Sequence, residues 1–574
     1  MTDFQLSPAV IVAAEAQAKI NSCLDEGRSF RLEAGAGAGK TYSLVEALKR
    51  IIAENGAALL QSGKKVACIT YTEVARDEIA KEIEQHPAIL VDTIHAFSWA
   101  FLKQFQKALR GLVSTMGDRQ DKITKGGGIG TKLVEYSFGF FGVDDEKITL
   151  SHDDVPYFMA QLLKEVKFRM LLTQQFPIIF IDEYQDTDPR FMAAMDEHFF
   201  KTRKGPLIGL FGDHWQTIYR GDSSCAEFAV EGIDKGSNFR SAPAIVNVLN
   251  QVRPELTQAV SDLEAVGEAR FFHANSYHGV RTNTTHSKND VPDDVARKFM
   301  LNLLSYLEAE GWDLSPAKTK VLILTHNALA AKQGYPSIAD IFQRSEAFAK
   351  KEDPVIEFFA NTLEPMSRAF GERKYGEMFQ ILGSAPAIKA HADKISWREN
   401  MNRLKHLRTE GTIGEVLDHL KQCQRPHLSD RVMRREDELS RLNGNPVPED
   451  ATALARHYRL RSVPYREVIE LVKFIEGSTP FATQHSVKGA EFENVLVVLG
   501  GGWNHYNWPQ LLELLETNMI TPKNTKGYHR ARNLFYVAIS RPKRRLAVLA
   551  TQTMPENALK AAVRLFGTGN VLSI

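Results

Sequence analysis

A glycine-rich stretch carries the clearest chemistry in the chain. Residues 33–41 read Glu-Ala-Gly-Ala-Gly-Ala-Gly-Lys-Thr, after an apolar segment with Phe30 and Leu32 and before a helical pattern over residues 42–52. Glycines between a strand and a helix let backbone N–H groups turn toward phosphate oxygens, and the helix dipole favours an anion there. The stretch therefore predicts a phosphate-binding loop (P-loop) made of Ala34, Gly35, Ala36, Gly37, Ala38, Gly39, Lys40 and Thr41.

The P-loop predicts ATP as the substrate and Mg²⁺ as its metal. Lys40 is expected to reach the β- and γ-phosphates, and the Thr41 hydroxyl is expected to bind Mg²⁺. Ala34 stands where the common pattern has its first glycine. The alternative is a turn rich in glycine and alanine without a ligand. Gly-Lys-Thr at a strand-to-helix turn favours the nucleotide.

A second stretch places two adjacent carboxylates after an apolar run. Residues 177–181 (Pro-Ile-Ile-Phe-Ile) predict a buried parallel strand, and Asp182 and Glu183 follow it directly. Open α/β sheets bind ligands at the carboxyl ends of their strands. Asp182 is suited to hold Mg²⁺ through its water shell, and Glu183 to orient and deprotonate an attacking water. A solvated acidic turn is the alternative, and the preceding P-loop makes it less favoured.

Other candidate residues are weak signals when each is taken alone. Gln216 follows a third apolar run, residues 207–211, where an amide can contact a γ-phosphate. An isolated arginine, such as Arg240 or Arg541, is more often a surface residue, and an isolated His485 is more often structural. The order and spacing of these segments change that balance.

Together the segments resemble the UvrD/Rep family of superfamily-one helicases. The resemblance starts at Gln17 and spans both halves of the chain, and its specificity comes from the number of motifs in the right order. The motifs are residues 33–41, 70–72, 93–97, 182–188, 212–219, 238–241, 325–327, 485–492 and 536–541.

The resemblance implies an α/β protein with two RecA-like parallel-sheet domains, each interrupted by a mostly helical accessory insertion. ATP would bind in the cleft between the two domains. The implied boundaries are 1–97 and 178–235 for the first RecA-like domain, 98–177 for the first insertion, 236–330 and 478–574 for the second RecA-like domain, and 331–477 for a shortened second insertion.

The same resemblance implies a role for each residue of the nucleotide site. The catalytic set would be Lys40, Thr41, Asp182, Glu183 and Gln216 from the first domain, with Arg240 and Arg541 from the second as arginine fingers. Hydrolysis would then depend on closure of the cleft. Around the nucleoside, Gln17 would read the adenine edge, Phe239 would stack on the base, and Gly489 and Glu491 would complete the site, with Glu491 near the ribose.

A track for single-stranded DNA is also implied, across the top of both domains. Stacking aromatic residues combined with short polar groups on phosphates suit binding without sequence preference. For each aromatic residue the alternative is a place in the core, and Tyr71 and Phe97 are the most open to it. The residues implied are Tyr71, Thr72, His95, Phe97, Tyr219, Thr483 and His485.

Composition excludes several classes of protein. The chain has 574 residues, 43% of them hydrophobic and 25% charged, as in ordinary globular proteins. Its formal net charge is +1, so a nucleic-acid surface must be a local patch. The widely spaced Cys23, Cys68, Cys225 and Cys423 favour reduced thiols over a zinc site. The sequence has no long apolar run and no signal-peptide pattern, so we expect a cytoplasmic protein.

Departures from the family pattern bear on DNA unwinding more than on ATP hydrolysis. Tyr42 replaces the usual arginine after the P-loop, and Arg530-Ala531 replaces an acidic pair. The segment after Gln216 is shortened to Tyr219-Arg220-Gly221, which omits a base-stacking tryptophan. Trp215 is not an obvious substitute.

The short insertions look most like those of the compact UvrD-like helicase subunit of Gabija-type antiphage systems, which works beside an OLD-family nuclease. We expect no nuclease domain in this chain, because little sequence follows Arg541. One hypothesis is a DNA-stimulated ATPase that moves 3′ to 5′ on single strands and unwinds duplexes, in phage defence or repair. The other is a DNA-sensing ATPase subunit that gates a partner nuclease with little unwinding. An ATPase unrelated to nucleic acid is supported by the P-loop alone.

Overall fold

The structure is a computed structural model that describes most of the chain. The described residues are 6–137, 141–218, 228–284, 287–324, 330, 333–342, 347–349, 351–383, 390–442, 446, 452–484, 487–501 and 505–574. Among these residues no helix combines the length and the apolar character needed to cross a membrane. The predicted residues Tyr219 and His485 and the motif at 325–327 lie outside the described residues.

A first sheet contains six strands that all run parallel. In chain order they are β1 (Phe30–Ala34), β2 (Val66–Thr70), β3 (Ile89–Thr93), β7 (Ile178–Asp182), β8 (Leu207–Gly212) and β9 (Glu231–Lys235). Their spatial order is β3-β2-β7-β8-β1-β9. Strand β1 is hydrogen-bonded between β8 and β9, so the P-loop leaves the sheet beside the carboxyl ends of both. Continuous apolar strands form here because both faces are covered.

Helices and short turns connect these strands. The helices are α1 (Pro8–Asp25), α2 (Lys40–Gln61), α3 (Glu73–Glu82), α4 (Ile94–Leu102), α9 (Pro189–Met195) and α10 (Pro243–Val252). Single 3₁₀ turns at Tyr184–Asp186 and His214–Gln216 follow β7 and β8 and carry motif residues. Beyond β9, the short strands β10 (Ser237–Asn238) and β11 (Ala259–Val260) pair in parallel.

The first insertion is mostly helical, as predicted, but it also holds a small sheet that the sequence did not indicate. Its elements are α5 (Gln106–Ser114), α6 (Gln120–Lys125), β4 (Leu133–Tyr136), β5 (Gly142–Val143), β6 (Lys147–Leu150), α7 (Asp154–Leu162) and α8 (Val166–Gln175). Residues of this insertion share one hydrophobic cluster with β2, β7 and β8, so it is anchored on the first sheet.

A second six-stranded sheet follows. Its strands are β12 (Glu268–His273), β15 (Thr319–Ile323), β16 (Phe481–Thr483), β17 (Phe492–Leu499), β18 (Pro542–Ala550) and β19 (Val571–Ser573), in the order β16-β15-β17-β18-β12-β19. Helix α11 (Asp293–Ala309) packs on it through Met300 and Leu303. The hairpin β13 (Thr282–Asn283) and β14 (Lys288–Asp290) is separate. The predicted α/β fold with two parallel sheets is confirmed.

The second insertion is helical throughout its described part. Its helices are α12 (Pro336–Phe342), α13 (Pro354–Phe358), α14 (Glu364–Gly371), α15 (Tyr375–Ile381), α16 (His391–Glu410), α17 (Ile413–Cys423), α18 (Asp430–Arg441), α19 (Thr452–Arg461) and α20 (Arg466–Ile475). These helices bury a hydrophobic cluster of their own. Thr412 and Glu415 form a capping box that satisfies the first N–H groups of α17.

The chain divides into two compact units. The first comprises Met1–Ala269, Gln510–Arg545 and Lys560–Gly567, and the second comprises Arg270–Pro509, Leu546–Leu559 and Thr568–Ile574. The last helices are α21 (Trp508–Thr517), α22 (Thr525–Ile539) and α23 (Glu556–Phe566). The first unit thus holds the P-loop together with Arg240 and Arg541. Each sheet falls within the ranges predicted for one RecA-like domain, while the domain boundaries stay a prediction.

Candidate nucleotide site

The P-loop connects a central strand to a long helix. Strand β1 ends at Ala34 and α2 begins at Lys40. Gly37 and Gly39 have φ angles of 75° and 73°, a left-handed conformation that favours glycine. The loop ends at the amino terminus of α2, where unpaired N–H groups and the helix dipole can receive phosphate oxygens.

The carbonyl side of this loop is hydrogen-bonded to the segment that begins with the last residue of β9 and runs to Gln258. Each carbonyl from Ala36 to Gly39 accepts a hydrogen bond from this later segment. The donors are Asn238 Nδ2 (3.2 Å) and Gln258 Nε2 (2.9 Å) on Ala36, the Phe239 amide (2.9 Å) on Gly37, Ser237 Oγ (3.2 Å) on Ala38, and Lys235 Nζ (2.9 Å) on Gly39. We call this set of donors the carbonyl clasp. The Ala36 N–H donates to the Tyr536 hydroxyl (3.3 Å) and the Ala38 N–H to the Gly35 carbonyl (3.2 Å), so the N–H groups at the start of α2 are the ones best placed for a ligand.

The clasp approaches the loop closely at two of its glycines. A Cβ atom on Gly35 would lie 2.3 Å from Gln258 Nε2, and one on Gly37 would lie 2.8 Å from Arg240 Cβ. Alanine at Gly37 would also be strained by its positive φ. The alternation of glycine and alanine in the loop therefore follows from packing against the clasp as well as from the turn itself.

Two of the predicted catalytic residues meet beside the loop. Lys40 Nζ lies 3.5 Å from Glu183 Oε1. Glu183 follows β7 and has a φ of 48°, an uncommon conformation for a residue other than glycine, and Gln185 donates a hydrogen bond to its carboxylate. Asp182, the last residue of β7, is buried beside it, and Thr41 is half-buried in the first turn of α2. A lysine, a hydroxyl and two carboxylates thus lie at one edge of the sheet.

A second group is centred on the 3₁₀ turn after β8. Gln216 Nε2 donates to Asp213 Oδ2 (2.8 Å), and Gln216 Oε1 lies 3.5 Å from Arg541 Nη2. Arg240 Nη1 donates to the carbonyl of Ser540 (3.2 Å), the residue before Arg541. The structure therefore brings the predicted Gln216, Arg240 and Arg541 together in the first unit.

Electrostatics in this group are set by burial. Arg541 is only 1% exposed, and burial together with the nearby charge of Arg240 lowers its pKa to about 9. Burial alone would raise the pKa of Asp213, but the positive charges of Arg253 and Lys40 hold it at about 2. The charge of the Arg240 guanidinium therefore disfavours that of the buried Arg541 guanidinium.

Sequence reasoning missed a buried ion-pair network under the site. Glu33 accepts a hydrogen bond from the Tyr184 hydroxyl and lies 3.0 Å from His214 Nδ1. Arg253 Nη1 lies 2.7 Å from Asp213 Oδ1, and its Nη2 lies 3.9 Å from Glu33 Oε2. Glu33, Asp213 and His214 have metal-ligating atoms within 4.8 Å of one another, but Arg253 already supplies the positive charge there. No motif points to Arg253, which follows an ordinary amphipathic helix.

The residues predicted around the nucleoside are divided between the two units. Phe239 is 45% exposed, and its ring lies 4.0 Å from the position of a Cβ on Gly39, so one face is available to a base. Gln17 lies on α1, and its Oε1 is buried without a hydrogen-bond partner among the described residues. Gly489 and Glu491 belong to the second unit.

The predicted DNA-contacting residues differ in exposure. Tyr71 is 43% exposed after β2, and the Thr72 side chain caps α3 by accepting from the Ala75 amide. His95 stacks on His152 of the first insertion, with ring centroids 3.4 Å apart. Thr483 is buried at the end of β16.

For Phe97 the structure requires a correction. Its side chain is 2% exposed and packs edge-on against Phe176, with ring centroids 5.2 Å apart. It therefore has no face for a base and belongs to the core. Phe101, one helical turn further on, is buried in the same cluster, so the spacing of the two residues already indicated a core stripe.

Trp215 does not replace the missing base-stacking tryptophan. It is buried, and its ring lies between two guanidinium groups, with Arg532 Cζ at 3.6 Å and Arg253 Cζ at 5.1 Å from the ring centroid. Tyr536 packs edge-on against it at 5.4 Å. Trp215 thus joins the turn that carries Gln216 to the helix that precedes Arg541.

Comparison with known proteins agrees with this geometry. Residues 17–222 match a protein-family model described as an AAA domain, a range that includes the P-loop, Asp182, Glu183 and Gln216. The chain is 22% identical to Gabija protein GajB of Bacillus cereus (strain HuB5-5) in an alignment that is 683 positions long with its gaps. The alignment covers 93% of this chain and 95% of GajB. The chain is similar to GajB along almost its whole length.

The predicted resemblance is thereby confirmed. The AAA-domain match over the P-loop supports a nucleotide-binding enzyme of the ATPase or helicase type. The similarity to GajB covers 93% of this chain and therefore extends well beyond the range of the AAA-domain match.

Proposed function

We propose that this protein hydrolyses ATP and uses the energy to move 3′ to 5′ along single-stranded DNA as part of a Gabija-type defence system. The observation that carries the proposal is the 3.5 Å approach of Lys40 Nζ to Glu183 Oε1. The two side chains meet beside a P-loop in which Gly37 and Gly39 have the left-handed backbone conformation. The similarity to GajB supports the biological setting, and the direction of movement is what the resemblance to the UvrD/Rep family implies.

Each residue of the site has a distinct role in this proposal. Lys40 binds the β- and γ-phosphates, and Glu183 orients and deprotonates the attacking water. Thr41 and Asp182 would hold Mg²⁺, whose charge screens the phosphates, and their hydroxyl and carboxylate oxygens are ligands that Mg²⁺ prefers. Gln216 reports the γ-phosphate to Asp213, to which it donates a hydrogen bond.

Arg240 and Arg541 stabilise the negative charge that develops on the γ-phosphoryl group in the transition state. Burial and, after it, the charge of Arg240 lower the pKa of Arg541, and an anion between the two guanidinium groups would relieve their repulsion. Arg240 follows Phe239 directly, and the Phe239 amide is bound to Gly37 of the P-loop. Loss of the γ-phosphate, sensed by Arg240, therefore shifts Phe239, the residue that stacks on the base. Repeated cycles of ATP binding and hydrolysis repeat this shift and drive movement.

For DNA we propose a track that includes Tyr71, Thr72 and His95, together with Tyr219 and His485. Thr483, which is buried like Phe97, is not part of this track. The exposed ring of Tyr71 offers a stacking surface, and the helix end capped by Thr72 offers N–H groups to phosphate. With a net charge of +1, the protein is expected to hold single strands only moderately and to release them as salt rises.

A polarity assay tests the proposed function. ATP turnover should rise when a single-stranded oligonucleotide is added, and the protein should displace streptavidin from a biotin at the 5′ end faster than from one at the 3′ end. A Lys40→Ala variant, which lacks the phosphate-binding ammonium, serves as the inactive control. Displacement that is equal at both ends, or turnover indifferent to DNA, would contradict movement on a strand.

The alternative is a DNA-sensing ATPase that gates a nuclease and unwinds little. The burial of Trp215 favours it, because the chain then lacks the base-stacking tryptophan of processive relatives. On this view the protein assembles with an OLD-family nuclease, using one of its insertions as the docking surface.

Co-purification with the neighbouring gene product tests the partner. We expect a complex larger than a heterodimer by size-exclusion chromatography with light scattering, and ATP turnover that rises further when DNA ends are present. A protein that stays monomeric beside a co-encoded nuclease and unwinds long duplexes by itself would instead support an ordinary repair helicase.

A further inference from the structure

Lys235 differs from the other members of the carbonyl clasp because it carries a charge. It is the last residue of β9 and pairs with Ala34, the last residue of β1. Its Nζ donates to the Gly39 carbonyl (2.9 Å) and to Ser43 Oγ (2.8 Å), so it spans the first turn of α2. No motif of the sequence includes it.

The Lys235 ammonium is buried without an opposite charge. The residue is 1% exposed, and within the part of the chain that the structure describes it makes no ion pair. Burial lowers the pKa of Lys235 to about 8. A buried charge costs free energy unless it is paired, and the amino end of a helix repels a cation. In the absence of ligand, the buried charge of Lys235 therefore lowers the stability of the folded protein.

A bound nucleotide would remove this imbalance. The N–H groups of the first turn of α2 are those that receive phosphates, and Lys235 grips the same turn from the carbonyl side. Anionic phosphates at the mouth of the P-loop would offset the ammonium charge. The attraction would be strong because the charges are close together and poorly solvated. Tyr42, which stands where the family has an arginine, leaves this turn without another cation after Lys40 and places its ring 6.0 Å from Lys235 Nζ.

We propose that Lys235 is a positioning residue of the nucleotide site, which holds the first turn of α2 in the shape that binds the phosphates of a nucleoside di- or triphosphate. The proposal rests on the proposed function, since it requires nucleotide binding at the P-loop. Lys235 acts through Gly39 and Ser43 and takes no part in the hydrolytic step.

Lys235→Met tests the proposal by removing the charge while keeping the length of the side chain. Affinity for ADP should fall about tenfold or more, the range for hydrogen bonds to charged groups, and the KM for ATP should rise by a similar factor. Turnover at saturating ATP should stay within about twofold of the wild type, because Glu183 and Arg541 are untouched. Lys235→Arg, which restores charge and donors, should recover part of the affinity.

Stability without nucleotide separates this role from a purely structural one. Replacing a buried, unpaired charge by an apolar group of similar size is often neutral or stabilising. The Tm of nucleotide-free Lys235→Met should therefore equal or exceed that of the wild type, while the increase in Tm on adding ADP shrinks. Lys49→Met, an exposed change on the same helix, should leave both values unchanged.

A double-mutant cycle with Ser43→Ala locates the effect. Ser43→Ala should weaken ADP binding in the wild type but not in the Lys235→Met background, because both changes break one interaction. Unchanged ADP affinity in Lys235→Met, a loss confined to kcat, or a lower Tm with a normal ADP shift would overturn the proposal. If the wild type binds no nucleotide, or Lys40→Ala binds and hydrolyses ATP normally, the proposed function fails instead.

Discussion

Changing Glu183 to glutamine is expected to lower ATP turnover roughly 10²- to 10⁴-fold, the usual contribution of a general base, while ATP still binds. Glutamine keeps the shape of the side chain and its contact distance to Lys40, but it cannot accept a proton from water. Single-turnover hydrolysis measured together with fluorescent-nucleotide binding checks both halves of this expectation.

Two further variants sharpen the Glu183 experiment. Asp182→Asn should weaken Mg²⁺-dependent nucleotide binding more than Glu183→Gln does, because Asp182 is assigned to the metal rather than to the water. Glu197→Gln, an exposed change on the helical turn after α9, should have no effect on either measurement. Small and equal losses from Asp182→Asn and Glu183→Gln would show that the end of β7 is not the active site.

Replacing Arg541 by alanine is expected to lower turnover by about 10³-fold with only a mild loss of nucleotide affinity, as for an arginine finger. The guanidinium lies against Gln216 and is held by bonds to the Val537 carbonyl (2.8 Å) and Ser540 Oγ (2.9 Å), so its position is set before the nucleotide arrives. Preorganised charge of this kind acts on the transition state more than on the bound substrate.

The matched variants distinguish charge from geometry at this position. Arg541→Lys keeps a cation but loses the planar fork, so we expect it to recover little of the activity. Arg564→Ala, on the exposed side of α23, controls for loss of an arginine elsewhere in the same unit. Circular dichroism and Tm establish that each variant folds. Turnover of folded Arg541→Ala within a fewfold of the wild type would remove Arg541 from the catalytic set.

Several parts of the site were predictable because their geometry is local. The P-loop, its adjoining strand and the helix after it are contiguous, so residue types alone determine the left-handed turns at Gly37 and Gly39 and the direction of the N–H groups. The same holds for Asp182 and Glu183, since an apolar run that ends in acids indicates a buried strand end. The prediction of two parallel sheets came from the resemblance of the ordered motifs to the UvrD/Rep family.

Burial of individual side chains was less accessible to sequence reasoning. Phe97 and Trp215 lie within or beside motifs that contact DNA or nucleotide in the resembling family, yet both rings face the interior. A motif specifies which residues are near the site, whereas the side of the helix or turn that faces the core depends on what packs against it. For Phe97 the pairing with Phe101 was an available signal, and for Trp215 there was none.

By itself, the sequence determined the order of the motifs, the class of fold and the groups that can bind a nucleotide. Only the tertiary structure decided how the loop is held. Lys235 and Gln258 come from segments about two hundred residues away from the P-loop carbonyls that they contact. In the sequence, Lys235 has the pattern of a surface lysine at a strand end. Long-range hydrogen bonds and the burial of a charge depend on which distant segments of the chain pack together. The spacing of residues along the sequence does not show which segments do so.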